Sequence, residues 1–136
     1  MNLSDLKTNA AIVEQGDWVD NIPDMGDLRL KVRGRGNSRW RALEAQLVAA
    51  VPRGKRINGR IPPADVDRIA AICVRDAGLL DWENLKDGDQ AVLYSKDMAN
   101  TLLTDPQYRA FFDAAVWACS VVGDATVGSQ EADQKN

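Results

Sequence analysis

Apolar residues recur along this chain at two different spacings, and the switches between them divide it into elements. Leu28, Leu30 and Val32 alternate with Arg29, Lys31 and Arg33, the period-two signature of a strand with one wet, basic face. Trp18 and Val19 form a second short apolar run, and Asn21-Ile-Pro-Asp-Met-Gly26 between them is dense in turn formers. Residues 17–33 therefore read as a hairpin. Helical spacing takes over at Trp40, Leu43, Leu47, Val48 and Val51, behind Asn37 or Ser38 as the cap and ahead of Pro52 as the stop. Pro62-Pro63 opens a second helix, with Val66, Ile69, Ala70, Cys73 and Ala77 placed inward and Gly78 at its end.

Leu79 to Leu85 and Ala91 to Tyr94 flank the turn Lys86-Asp-Gly-Asp89, which predicts a second small hairpin. Ser95 caps a short helix through Leu103. Thr104-Asp-Pro-Gln107 then reads as a capping box that opens a last helix, with Tyr108, Phe111, Phe112, Ala115, Val116, Cys119 and Val122 on one broad face. A thinner stripe of Leu6, Ala10 and Val13 suggests a helix from Ser4. The expectation is an α+β fold, a mainly helical single domain over residues 1–123 with about four helices and two small β-hairpins. Residues 124–136 lose the apolar pattern and read as a disordered acidic tail.

Charge sharpens this picture. The net charge of −3 conceals three blocks: residues 1–28 set six acids against Lys7 alone, residues 29–60 set ten bases against Glu44 alone, and the remainder is acidic again. Arg29, Lys31, Arg33, Arg35, Arg39 and Arg41 run from a strand through a turn into a helix. Arg53, Lys55, Arg56 and Arg60 follow in a segment with two glycines that reads as an exposed loop. A predominance of arginine suits paired recognition of carboxylate or phosphate. The plain alternative is a surface that neutralises the protein's own acidic ends.

Composition narrows the chemistry. With no histidine in the chain, the usual general base, the common nucleophile arrangements and the commonest metal ligand are missing. Cys73 and Cys119 fall on helical stripes and read as buried free thiols. Gly34-x-Gly36 lacks the third glycine of a dinucleotide fingerprint, since Arg39 stands there. Gly54-Lys55 lacks both the first glycine of a phosphate loop and the hydroxyl that would hold magnesium. Asp81, Glu83, Asp87 and Asp89 cluster at a turn, but Leu85 and Lys86 occupy positions where a calcium loop needs an oxygen ligand and a glycine. Ser4 and Lys7 have the spacing of a serine–lysine nucleophile without its partner motifs. No enzymatic activity, cofactor or metal is expected. Residues 1–7 carry no apolar run, and the uncharged stretch 114–123 is half the length that spans a bilayer, so the expectation is a cytoplasmic protein without a membrane partner.

The order of short motifs resembles the tail assembly chaperones of tailed bacteriophages. Those motifs are Gly16-Asp-Trp-Val19, Leu30-Lys-Val-Arg-Gly34, Val51-Pro-Arg-Gly-Lys-Arg56, Gly78-Leu-Leu-Asp-Trp82, Tyr94-Ser-Lys96, Leu102-Leu-Thr-Asp-Pro106 and the helix 111–122. The resemblance implies a non-enzymatic protein that binds the tape measure protein and helps recruit tail tube subunits, in some families with a longer frameshifted form. The partner-binding surface is then expected from Arg33, Arg35, Arg39, Arg53, Lys55, Arg56 and Arg60, with Trp18 and Trp82 lining a groove. Trp40 and Trp117 are assigned to the core. Self-association stays open. The alternative function is a nucleic-acid-binding regulator that works through residues 29–60, against which the overall acidity counts.

Overall fold

A computed structural model describes residues 1–127. The centre of the fold is a three-stranded antiparallel sheet in the order β1 (Asp17–Val19), β2 (Arg29–Val32), β3 (Leu79–Glu83). The alternation in β2 does what its period dictates: Leu30 and Val32 have no solvent exposure, and Arg29, Lys31 and Arg33 line the other face. The register sets Val19 and Trp82 on either side of Leu30, and Trp18 and Asp81 on either side of Lys31.

Four helices of nine residues or more enclose the inner face: α3 (Ser38–Ala49), α4 (Pro63–Ala77), α5 (Lys96–Thr104) and α6 (Arg109–Gly123). Two shorter ones, α1 (Leu3–Leu6) and α2 (Ala10–Gln15), precede the sheet, and a second hairpin, β4 (Lys86–Asp87) with β5 (Gln90–Ala91), lies beyond it. The fold is α+β. Its core runs from Val19, Leu30 and Val32 through Trp40, Ile69, Cys73 and Val74 to Phe111, Phe112, Ala115 and Cys119. Asn37 has no solvent exposure and ties three elements together. Its Oδ1 accepts the Trp40 N–H at 2.9 Å, and its Nδ2 donates to the carbonyls of Gly34 at 2.8 Å and Ala77 at 2.7 Å. It is at once the cap of α3 and a clamp on the end of α4.

Where the chain leaves β2 it crosses the end of α6, and the Arg35 N–H donates to the Cys119 carbonyl at 2.8 Å. A side chain on Gly123 would place its Cβ 2.5 Å from the Arg35 carbonyl oxygen, so this crossing requires glycine. Beyond it the two ends of the domain meet: the Asn9 N–H donates to the Ala125 carbonyl, Thr8 bridges to Thr126, and the Val127 N–H donates to the Lys7 carbonyl. The expected tail from Asp124 thus begins as four described residues held by these contacts, and its remainder lies outside the described residues.

Several expectations need correction. Leu79–Glu83 does not pair with 91–94 but joins β2, because pairing there buries Leu79 and Trp82 against Leu30 and Val32. The first helix is two, broken at Lys7 to Asn9, where Asn9 caps α2. Asp105, not Thr104, caps the turn before α6 by accepting the Gln107 N–H, and Thr104 ends α5. Val66 is 51% exposed, one turn beyond the reach of the core that holds Ile69 and Cys73. Cys73 and Cys119 are free and buried, and burial pushes their thiols up to about 11 and about 12.

Candidate partner-binding surface

The basic block does not form one face. At the strand, Arg29 and Arg33 are engaged within the molecule. Arg29 pairs with Glu83 at 2.8 Å while its guanidinium covers the Trp18 ring at 4.9 Å. Arg33 reaches the Glu14 carboxylate at 3.2 Å and its carbonyl at 2.6 Å. Each acid comes from one of the two acidic blocks, so here the charge sorting of the sequence serves internal neutralisation.

The other cations stand at opposite ends of α3. Arg35, Arg39 and Arg41 are exposed near its start. Arg35 lies 5.9 Å from the Trp40 ring, and Arg39 helps hold the Asp76 carboxyl low. Arg53, Lys55, Arg56 and Arg60 gather past its other end, across the twelve residues of the helix, about 18 Å at its normal rise. Arg56 donates to the Val48 carbonyl at 2.9 Å, which also accepts the Val51 N–H at 3.2 Å, and so ties the segment to the end of α3. The segment read as a loop is a tight hairpin tip: Ile57 and Arg60 exchange two backbone hydrogen bonds of 2.9 Å around Asn58 and Gly59, both at positive φ. Ile57 at this tip is 63% exposed.

The tryptophans exchange roles with the sequence reading. Trp82, expected at a partner surface, is 4% exposed: it meets Tyr94 and Phe111 edge-on at 5.1 and 5.7 Å, and its indole N–H donates to the Val92 carbonyl at 2.7 Å. Trp40 is core as expected, at 2%. Trp117, expected in the core, is 39% exposed. It stands between two hollows of about 340 and 290 Å³ that together make a groove along α6. One side of that groove is the free edge of β1 with Trp18 and Val19, and the other is the turn Ile22-Pro-Asp-Met25. Ile12 and Val121 extend its apolar lining.

The electrostatics of this groove are one-sided. Asp17, Asp20, Asp24, Asp113 and Asp124 line it, and among the described residues neither hollow has a lysine or arginine in its lining. Asp113 pairs with Arg109; among the described residues the other four acids make no ion pair. An apolar floor with an exposed tryptophan and an anionic rim is suited to a segment that offers apolar side chains flanked by cations. A separate apolar cleft of about 400 Å³ lies between α4, α5 and α6, lined by Ile72, Leu103 and Phe112, with Arg109 and Asp67 closed on each other at its mouth.

Two carboxyls on other faces have their pKa held low. Hydrogen bonds from the Ser38 backbone and hydroxyl depress Glu14, with Arg33 adding to the effect, and the Arg75 guanidinium depresses Asp76. Both therefore contribute stability that is complete above their ordinary values of 4.5 and 3.8 and is lost as the pH falls through their lower folded values. The expected result is a melting temperature that drops with acidification below pH 4.5, with a shallower drop in Glu14→Gln; equal slopes would contradict it.

Among the described residues, no three or more Cys, Asp or Glu side chains gather as a metal site, and no helix is long and apolar enough to cross a membrane. No curated protein and no solved structure matches the chain. A family model, that of the YdaY prophage protein, matches residues 35–136, from the turn after β2 onward, taking in the basic hairpin and all of α6. As that match spans well over half of its length, the chain belongs to the YdaY prophage protein family.

Proposed function

We propose that this prophage protein is a tail assembly chaperone, a non-enzymatic binder that holds the tape measure protein in the host cytoplasm and helps bring tail tube subunits to it. The observation that carries the reading is the acid-rimmed groove around Trp117, an apolar trough open to solvent. It has the form that receives one face of an amphipathic helix, with an aromatic anchor near its centre. The order of sequence motifs supports a tail chaperone, and membership of a prophage family agrees with a phage role.

The groove reverses the charge logic expected from sequence. An arginine face seeking acids on the client gives way to an acidic rim seeking lysines and arginines beside the client's apolar stripe. The alternative of a nucleic-acid-binding regulator needs the bases of residues 29–60 to act together, and their separation along α3 and their internal pairing count against it.

Co-expression with the tape measure protein of the same prophage, followed by affinity capture, tests the proposal. Trp117→Ala is expected to reduce the retained client by about tenfold or more, the scale of a central aromatic anchor. Replacing Arg53, Lys55 and Arg60 together by Ser is expected to leave capture intact. Loss of capture in the triple variant with none in Trp117→Ala would overturn the assignment of the groove.

A further inference from the structure

The basic hairpin tip and the acidic groove are complementary surfaces of one molecule. Within the described residues Arg53, Lys55 and Arg60 are exposed and make no ion pair, as is true of Asp17, Asp20, Asp24 and Asp124 around the groove. The tip carries an apolar residue, Ile57, flanked by these cations. The groove carries an apolar floor flanked by those anions. Among the described residues the two stand apart: the tip packs on the end of α3, where Arg53 and Arg56 share a hollow with Gly59, whereas the groove runs along α6 and β1. We propose that the Asn58-Gly59 hairpin of one copy docks in the acid-rimmed Trp117 groove of the next, so that the protein self-associates head to tail.

Three features favour a second copy as the occupant. The first is charge: residues 1–28, with six acids against one base, supply most of the rim, and residues 29–60, with ten bases against one acid, supply the tip. Attraction between copies is thereby written into the chain, and salt screens it. The second is order: a two-residue turn with both central residues at positive φ, closed by two backbone hydrogen bonds, presents Ile57 and Arg60 in a fixed geometry, so docking costs little ordering entropy. The third is asymmetry. Tip and groove are different surfaces, so each docked copy leaves one free tip and one free groove, and the contact propagates into a ring or a chain rather than stopping at a symmetric dimer.

The proposal shares the groove with the client reading but needs no client, and the two fail separately. Light scattering coupled to gel filtration, on the chain alone over a wide range of concentration, is the measurement. At about 0.05 M salt the mass is expected to rise above the monomer with concentration, and at about 0.5 M to return to the monomer. Asp17→Lys, Asp20→Lys and Asp124→Lys together reverse the rim, leaving Asp24 as its one unpaired acid among the described residues, and Arg53→Asp, Lys55→Asp and Arg60→Asp reverse the tip. All six positions are exposed, so both variants are expected to melt as the wild type does. Each alone is expected to remain monomeric. Mixed in equal amounts they are expected to regain association, since the basic tip of the first meets the acidic groove of the second, and the acidic tip of the second meets the basic groove of the first. A wild type that is monomeric at every concentration, association that neither variant disturbs, or a mixture that stays monomeric would each overturn the proposal. Client capture by a monomeric wild type would overturn it and leave the chaperone reading standing.

Discussion

Alanine in place of Asn37 is expected to lower the free energy of unfolding by about 3–5 kcal/mol, a large part of what holds a domain of this size. The change leaves two buried groups without partners, one of them the N–H that the α3 cap satisfied, at about 1–3 kcal/mol each. Those groups are the Trp40 N–H and the Ala77 carbonyl; the Gly34 carbonyl keeps the Asn37 backbone N–H at 3.0 Å. Asn37→Asp is not expected to rescue. It restores the acceptor for Trp40 but turns a carboxylate oxygen toward two carbonyls at a position with no solvent exposure. Urea unfolding of the three proteins checks this, and a loss under about 1 kcal/mol in the alanine variant would mean that water or a neighbour replaces the lost bonds.

Trp82→Ala is expected to cost about 3–5 kcal/mol, the range for truncating a large aromatic in a core. The indole spans the joint between the sheet and α6, so its removal opens a void beside Tyr94 and Phe111 and leaves the Val92 carbonyl unpaired. Trp82→Phe keeps much of the ring contact, and its expected cost is dominated by the lost hydrogen bond, about 1–3 kcal/mol. The same pair separates a core role from a binding role. If Trp82 is core, captured client falls only with the folded fraction, measured by thermal denaturation. Client loss in fully folded Trp82→Phe would instead return this residue to the partner surface.

These two residues mark what the sequence could and could not say. Asn37 was legible as one of two candidate caps, because an Asn or Ser before a helical stripe has a local reason to be there. Its clamp on Ala77 was not, since forty residues separate the two and no local pattern encodes their meeting. The alternation of Leu28, Leu30 and Val32 gave β2 and its inner face. The strand at Leu79–Glu83 was legible but its partner was not: the local choice was the segment 91–94, and burial of Trp82 against the distant β2 overrode it.

Other features were encoded in the local pattern alone. Trp117 lies two residues from both Ala115 and Cys119, on the far side of a 3.6-residue helix from those buried positions, so the periodicity that placed them inward excluded it. Asn58-Gly59 is the strongest short-range signal for a tight hairpin, yet the surrounding cations drew the reading toward a loop. Charge along the chain was legible as three blocks. That Arg29 and Arg33 are spent on Glu83 and Glu14, while acids of the first block converge around Trp117, depends on the register of β1 and β2 and on the turn that follows β1.

The proposed function is centred on the groove around Trp117, and the indole N–H signals of the four tryptophans in a nitrogen–proton correlation spectrum test it most directly. Trp40 and Trp82 hold their indole protons against the Glu44 carboxylate and the Val92 carbonyl inside the fold, whereas Trp117 stands in the groove. On titration with a helical segment of the tape measure protein, the Trp117 indole and the amides of residues 17–20 are expected to shift together while Trp40 and Trp82 stay in place. Saturable binding that leaves the Trp117 indole unmoved and shifts the amides of residues 53–60 would contradict it.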